Sequence, residues 1–426
     1  MCGNRAAAVS VLGMDKLPAI SAGSRCSRCS VGLRPVAGLV LLLSLWSVPQ
    51  LRDAVAAAAA TSSDFPTDQT IGSLDALPLL PWQRPADWRP PYVGLHNNLT
   101  ALLGAQRPAG AKWVTVFALS HLDTHHALML ANALTTLHYF GGGGGSYLVA
   151  VADEDGLQHC MRLGLPCYNA SREVGAENRG AHGGYGTEGY YLGCWVKVHV
   201  VRRVLQLLPP GVGVLLSDHD VVFLKRLRPS VEAFLAGSEW DVTGMVEDYG
   251  HRGINTGVLF IRNTPNSQAM YDAWAAAATR HTGDQEIFYD LYGVHWLACM
   301  GPKASDCKFD PAAGPGKTPT AAAARVARHN SPWERNINCP PVDRHKYNDP
   351  YRHEGVTDNP RHCEVPGRLY AHLICVGDKQ RGAQVLGLWF LDGQDPLGPR
   401  LNVSAMRAAG LPCAPPADVA KLTLVQ

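Results

Sequence analysis

The hydrophobic pattern in the middle of the chain alternates between short apolar runs and longer stretches of helical periodicity. Residues 113–119, 146–152 and 212–217 are apolar runs with the length of buried strands. A helical pattern over 127–139 separates the first two, and apolar residues at helical spacing over 191–208 lead into the third. This order predicts an α/β domain built on a mostly parallel sheet.

Two acidic residues stand at the carboxyl end of the third apolar run. Asp218 and Asp220 flank His219, and the apolar stretch 221–224 follows at once, so the triplet interrupts a buried segment. Open α/β sheets bind ligands at the carboxyl ends of their strands, and buried carboxylates need a cationic partner. Carboxylate oxygens suit a divalent cation, which can in turn bind phosphates. The triplet therefore predicts a cation and phosphate site.

Four short sequence blocks connect this site to a known family. They are residues 215–223 with the triplet, 254–258, 283–286, and 370–372 running on to 387–390. In this order they resemble the GT-A nucleotide-diphospho-sugar transferases of plants and algae, which include rhamnogalacturonan xylosyltransferases and extensin arabinosyltransferases. The resemblance spans roughly residues 112–395. It implies a Rossmann-like α/β fold, with helices on both faces of a mostly parallel central sheet, and a glycosyltransferase activity.

The resemblance implies a metal site. Asp218, Asp220 and His372 would bind Mn²⁺ or Mg²⁺, and a mixed carboxylate and imidazole shell favours Mn²⁺. The bound metal would hold the diphosphate of the donor. His219 departs from the family pattern, which has a small or acidic residue there, and this difference leaves the donor sugar open.

The resemblance also implies residues that contact the sugar. Asp284 and Gln285 match the catalytic acid and amide pair near the donor sugar and the acceptor. Asn255 and Thr256 match a strand that lines the donor sugar, although both could be turn residues between strands. Lys197 lies where the family places a lysine that contacts the donor.

Other assignments have structural alternatives. Thr282 and Gln285 could form a helix capping box, and Asp284 is favourable in a first helical turn without any catalysis. His372 could be a hydrogen-bonded histidine of a buried strand. Lys379 could approach the donor diphosphate, but a solvated surface position is the simpler interpretation.

Two further motifs do not predict sites. Residues 314–318 end like a phosphate-binding loop, but Pro311 occupies the position of its first glycine. His121, His125 and His126 are spaced closely enough for zinc, with the first two at i, i+4 on a helix. No cysteine or carboxylate pattern completes that zinc site, so a surface helix is the preferred interpretation.

The composition is that of a globular protein without a nucleic-acid-binding charge pattern. The 426 residues include 38 basic and 36 acidic ones, so no charge imbalance indicates nucleic-acid binding. A hydrophobic content of 46% supports a substantial core. Of the 12 cysteines, nine follow residue 35, an odd number whose connectivity cannot be deduced.

The amino-terminal region predicts a route through the secretory pathway. Residues 1–35 form a basic tail, and residues 36–60 form a signal anchor or signal peptide, with an apolar run followed by alanines. A stem at 61–110, a catalytic domain at 111–400 and a tail at 401–426 would follow. We expect a single-pass type II protein of the Golgi membrane with a lumenal domain, secretion or a plastid transit peptide being the alternatives. Asn98, Asn169 and Asn402 begin glycosylation sequons that agree with this route.

Together these features predict a metal-dependent glycosyltransferase. It would move a pentose or galactose from a UDP-sugar to a hydroxyl of a glycan or glycoprotein, with retention of anomeric configuration. One alternative is a catalytically inactive protein of the same fold that binds a nucleotide sugar or glycan. The other is a metal-dependent phosphohydrolase that uses the same carboxylates.

Overall fold

The computed structural model describes residues 79–107, 110–142, 146–237, 241–247, 253–292, 326–329, 369–373 and 378–411. The predicted basic tail and signal anchor, and the glycine-rich residues 314–318, lie outside the described residues. Among those that are described, none of the helices is both long and apolar enough to cross a bilayer.

The centre of the domain is a β-sheet. The strands of the described chain are β1 (Trp113–Leu119), β2 (Tyr147–Val151), β3 (Cys167–Asn169), β4 (Gly213–Ser217), β5 (Val221–Phe223), β6 (Val242–Glu247), β7 (Gly253–Arg262), β8 (Val326–His329), β9 (Tyr370–His372), β10 (Leu391–Asp392) and β11 (Arg400–Leu401). Seven of these described strands form the central sheet in the order β3-β2-β1-β4-β7-β6-β8. Every neighbouring pair is parallel except the two that contain β7. The predicted α/β class with a mostly parallel sheet is confirmed.

Helices connect the strands and cover the sheet. Those of the described chain are α1 (Leu99–Gln106), α2 (Thr124–Thr136), α3 (Glu154–Arg162), α4 (Glu188–Leu207), α5 (Arg228–Gly237), α6 (Pro265–Ala276), α7 (Asp284–Tyr292), α8 (Lys379–Val385) and α9 (Val403–Ala408). At the start of several helices a side-chain oxygen accepts a hydrogen bond from a backbone N–H of the first turn. Asp123 caps α2, Asp153 caps α3 and Thr187 caps α4 in this way. Such caps satisfy backbone N–H groups that a helix start leaves without a partner.

Both faces of the sheet are buried. Trp195, Val198 and Val201 of α4 pack on one face with residues of β1 and β4, all fully buried. On the other face, Phe117 and Leu215 pack with residues of α2 and α5. Burial on both faces explains why the strands read as continuous apolar runs rather than as an alternating pattern.

The packed part of the chain extends beyond the predicted domain limits of 111 and 400. Leu99 and Leu102 of α1 lie in the same core as α4, although they belong to the range predicted as stem. Met406 and Leu411 are buried against Phe390 in a third core, although they belong to the range predicted as tail. A short helix cannot bury its apolar side chains by itself, so both segments pack against the domain and remove these side chains from water.

One cysteine pairing is formed within the described residues. Cys160 at the end of α3 is bonded to Cys167 at the start of β3, with a Cα–Cα distance of 6.0 Å. Cys194 on α4 is a free thiol. The sequence alone did not predict the Cys160–Cys167 pairing. It depends on the tight turn that brings the chain from the end of α3 back to β3.

Candidate active site

The acidic triplet is fixed on both sides by neighbouring strands. Asp218 follows the last residue of β4, and its N–H donates to the Gly257 carbonyl of β7 at 2.7 Å. The Asp220 carbonyl accepts a hydrogen bond from Leu373 N–H, just after β9, at 3.0 Å. The triplet therefore lies at the carboxyl end of a central strand, as predicted, and its backbone is held in place by two elements remote in sequence.

His372 meets this triplet across a separate small sheet. The strand β9 pairs antiparallel with β5, and its register places His372 opposite Val221. His372 Nε2 lies 3.1 Å from Asp220 Oδ1 and 3.8 Å from Asp218 Oδ2. One ligand atom from each of the three residues lies within 4.8 Å of the others. The three residues predicted as metal ligands are thus brought together.

The cluster fits a divalent cation. Two carboxylates and an imidazole are suitable ligands for Mn²⁺. Gly257 keeps the space beside them open, because a Cβ at this position would lie 2.2 Å from His372 Cε1 and 2.6 Å from Asp218 Oδ2. Gly257 belongs to the sequence block 254–258, but no role was predicted for it. The signal available was a glycine inside an apolar strand, which marks a close approach.

Lys197 connects two acidic groups of the site. It lies on α4, is 8% exposed, and its Nζ is 3.4 Å from Asp218 Oδ1 and 3.4 Å from Asp284 Oδ2. Burial opposes its positive charge, but Asp218 and Asp284 outweigh burial and raise the pKa of Lys197 above its ordinary value. Lys197 is therefore a cation within the predicted donor site.

Lys379 approaches the cluster from the start of α8. Its Nζ is 2.8 Å from Asp220 Oδ2 and donates a hydrogen bond to the Leu373 carbonyl. Its side chain is 29% exposed. The interpretation of Lys379 as a purely solvated surface lysine is wrong, because its ammonium group forms an ion pair with Asp220.

The second pair of predicted site residues lies where β7 meets α7. Thr256 Oγ1 donates to Asp284 Oδ2 at 2.7 Å, and Thr256 N–H donates to Gln285 Oε1 at 3.0 Å. Asn255 Oδ1 accepts from Gly257 N–H at 2.8 Å. Asn255 and Thr256 are interior residues of β7 and not turn residues.

The capping-box interpretation of this segment is wrong. The helix α7 begins at Asp284, so Thr282 is not the residue that immediately precedes it. The side-chain oxygen of Gln285 accepts a hydrogen bond from Thr256 N–H of β7. Asp284 is 3% exposed and shared between Thr256 and Lys197, so its carboxylate faces the site.

The two carboxylates of the triplet differ in their readiness to ionise. Burial raises the pKa of Asp218, and Lys197 and His372 offset only part of that rise. Burial acts on Asp220 as well, but Lys379 and His372 outweigh it and hold the pKa of Asp220 well below its usual value. Burial lowers the pKa of His219 to about 3, so this residue is neutral at pH 7. Asp220 is the firmly charged member of the cluster.

A group of histidines lies beside the triplet. The His219 and His126 ring centroids are 5.0 Å apart, and those of His126 and His121 are 4.3 Å apart. The predicted helix through His121 and His125 is wrong, because α2 begins at Thr124. The sequence offered no carboxylate pattern to complete a metal site with these histidines. In the structure Asp123, the cap of α2, lies beside His121 and His126.

Part of the chain is similar to known sugar transferases. Residues 145–305 match the family model described as nucleotide-diphospho-sugar transferase. Over 157 residues the chain is 28% identical to beta-arabinofuranosyltransferase RAY1 of Arabidopsis thaliana, an alignment that covers 34% of this chain and 27% of that protein. The chain therefore spans about a quarter of the length of this relative.

A solved structure is also similar at low level. It is the galactosyltransferase LgtC in complex with donor and acceptor sugar analogs, at 12% identity, covering 42% of this chain and 69% of that one. The TM-score of 0.27 corresponds to weak structural similarity. The matches over residues 145–305 and to RAY1 agree with the resemblance found in the sequence: this part of the chain is similar to nucleotide-diphospho-sugar transferases.

Proposed function

We propose that the protein is a metal-dependent glycosyltransferase that transfers a sugar from a UDP-sugar to a hydroxyl of a glycan or glycoprotein, with retention. The observation that carries this proposal is the convergence of Asp218, Asp220 and His372 from two different sheets, with Lys197 and Lys379 on either side. A site built only for structure has no need of two buried groups, Asp220 and His372, gathered with the half-buried Asp218.

The charges of the site suit a cation together with a diphosphate. Asp218, Asp220 and Asp284 carry three formal negative charges, which Lys197 and Lys379 balance in part. A divalent cation on the triplet and His372 would act as a Lewis acid toward the leaving diphosphate. Lys379 and Lys197 would bind phosphate oxygens, because each already faces the triplet with its ammonium group.

The sugar would lie between the triplet and the start of α7. Asp284 and Gln285 are held there by Thr256, so their orientation is set before a donor binds. The Asp284 carboxylate would stabilise positive charge that develops on the sugar ring as the bond to the diphosphate breaks. Asn255 and Thr256 would line the sugar from β7. In this proposal Asp284 and Gln285 are the catalytic pair.

The identity of the sugar is open to direct test. RAY1 is named as a beta-arabinofuranosyltransferase, so UDP-arabinofuranose belongs in a donor panel with UDP-xylose and UDP-galactose. The assay is UDP release by the full chain in detergent, with and without Mn²⁺. The proposal predicts metal-dependent turnover of one donor that is lost in the Asp218→Ala/Asp220→Ala double variant.

A surface carboxylate supplies the control for that assay. Asp272 on α6 is half exposed and pairs with Arg202, away from the site, so Asp272→Asn should leave turnover unchanged. Release of phosphate from simple esters without any acceptor would instead favour the phosphohydrolase. Metal-dependent UDP binding with every donor and acceptor inactive would favour a binding protein.

We further propose a lumenal position in the secretory pathway, with membrane attachment through residues 36–60 and the Golgi as destination. The Cys160–Cys167 disulfide supports an oxidising compartment. Asn98 is exposed at the start of α1, where a glycan could be attached. A mobility shift on deglycosylation that Asn98→Gln reduces would support this position, and an unglycosylated chain that fractionates with plastids would contradict it.

A further inference from the structure

Three residues at the carboxyl end of β1 form a second cluster of potential metal ligands. His121 and Asp123 lie in the loop after β1, and His126 lies in the first turn of α2. His126 Nδ1 is 2.7 Å from Asp123 Oδ1, and His121 Nε2 is 3.8 Å from Asp123 Oδ2. One ligand atom of each residue lies within 4.8 Å of the others.

Helix capping explains only part of this cluster. Asp123 Oδ1 accepts from His126 N–H at 2.9 Å, which is an ordinary helix cap. His121 has no part in the cap. Its Nε2 is buried without a hydrogen-bond partner among the described residues, and Asp123 Oδ2 lies in front of it at 3.8 Å. A buried ring nitrogen with no hydrogen bond is costly, and a bound cation would satisfy it.

We propose that His121, Asp123 and His126 bind a late first-row transition-metal ion, with Zn²⁺ as the expected occupant. Two imidazoles and one carboxylate with an open fourth position are a known zinc ligand set. Tetrahedral zinc with bonds of about 2.1 Å holds its ligand atoms about 3.4 Å apart. The observed 2.7 and 3.8 Å run to the two different oxygens of Asp123, so the Asp123 side chain must rotate to present one oxygen at this distance from both imidazoles.

His182 is a candidate for the fourth position. Its ring centroid lies 4.6 Å from that of His121, and its Nδ1 is 2.8 Å from the Gly180 carbonyl. A histidine that donates one ring N–H to a backbone carbonyl presents its other nitrogen as an oriented acceptor. The same arrangement supports many zinc-bound histidines.

This site differs in ligand chemistry from the triplet. The triplet with His372 is dominated by carboxylates, which suit Mn²⁺ or Mg²⁺, whereas two or three imidazoles favour Zn²⁺. The proposal does not depend on glycosyl transfer, because it rests only on residues of the β1–α2 segment and on His182.

The test is zinc binding by the full chain after removal of metal with a chelator. Zn²⁺ is titrated against a chromogenic chelator in the presence of excess Mn²⁺, which competes with Zn²⁺ for the triplet. We expect one zinc per chain, with affinity at least about tenfold weaker in His121→Gln and in His126→Gln. Co²⁺ in place of zinc should show visible absorption of tetrahedral character in the parent chain but not in these variants.

Two control variants separate this site from its neighbours. His125→Gln changes an exposed histidine next to His126, and Asp220→Asn changes the triplet, so both should keep the zinc and the Co²⁺ absorption. Far-ultraviolet circular dichroism verifies that each variant is folded. Equal zinc affinity in the parent, His121→Gln and His126→Gln proteins would overturn the proposal. Loss of the zinc in Asp220→Asn alone would do so too, because the ion would then belong to the triplet.

Discussion

Gly257→Ala provides a sharp test of the metal site, because it adds one methyl group to the space between two proposed ligands. The added Cβ would lie 2.2 Å from His372 Cε1 and 2.6 Å from Asp218 Oδ2. Ordinary contact begins near 3.4 Å, so the imidazole must move by about 1.2 Å to accommodate it. Overpacking of this kind costs about 1–3 kcal/mol of folding free energy.

The effect on turnover should exceed the effect on stability. A displacement of about 1 Å at a catalytic group can cost about 100-fold in rate. We therefore expect kcat/KM for UDP release to fall by about two orders of magnitude and the Mn²⁺ concentration for half-maximal rate to rise. Both are measured by steady-state kinetics with Mn²⁺ titration, beside thermal unfolding of the metal-free protein.

Gly244→Ala is the matched control. Gly244 also lies in a strand of the central sheet, and its added Cβ would meet Ile254 Cγ2 at 2.4 Å and Leu259 Cδ2 at 2.6 Å, which are core methyl groups. It should lower the unfolding temperature by a similar amount while the folded fraction keeps the parent Mn²⁺ dependence. Parent-like turnover and Mn²⁺ dependence in Gly257→Ala would refute the assignment of Asp218 and His372 as partners in one metal site.

Three further substitutions probe the charges of the site. Asp220→Asn should abolish UDP release and weaken UDP binding in Mn²⁺, and the metal-free protein should stay folded but unfold at a lower temperature, because the ion pair with Lys379 is lost; full activity would exclude Asp220 as a ligand. His372→Ala should weaken Mn²⁺ binding, measured by titration calorimetry, more than it lowers metal-free stability; equal destabilisation with and without Mn²⁺ would show a purely structural histidine. Lys197→Met leaves Asp218 and Asp284 uncompensated and should cost about 3–5 kcal/mol in urea unfolding at pH 7. That difference from the parent should shrink as the pH falls and the carboxylates are protonated, and a difference independent of pH would point to lost packing instead.

The elements that sequence reasoning placed correctly are those with a strong local pattern. The strands β1, β2 and β4 and the helix α4 follow runs of apolar residues at strand or helix spacing. Because both faces of the sheet are covered, these runs are almost uninterrupted, and the polar residues that end them stand out. Asp218 and Asp220 were found for this reason.

Two errors concern residues whose surroundings come from distant parts of the chain. A capping box at Thr282 was one of two open interpretations, and the side chains at the start of α7 instead contact Thr256 of β7. Lys379 was expected in solvent, but its ion pair partner Asp220 lies 159 residues earlier in the chain. A third error is local: Asp123, two residues from His121, was overlooked because a helix was predicted to run through His121 and His125, whereas α2 begins only at Thr124.

The sequence by itself determined the α/β class, the position of the acidic triplet at a strand end and the likeness to sugar transferases, because periodicity and short motifs are local properties. Tertiary structure decided which side chains meet. The register of β5 with β9 places His372 on the triplet across 152 residues, and the close approach of β7 requires glycine at position 257. Such contacts depend on strand pairing and loop paths, which balance packing over the whole domain, so local periodicity alone does not specify them.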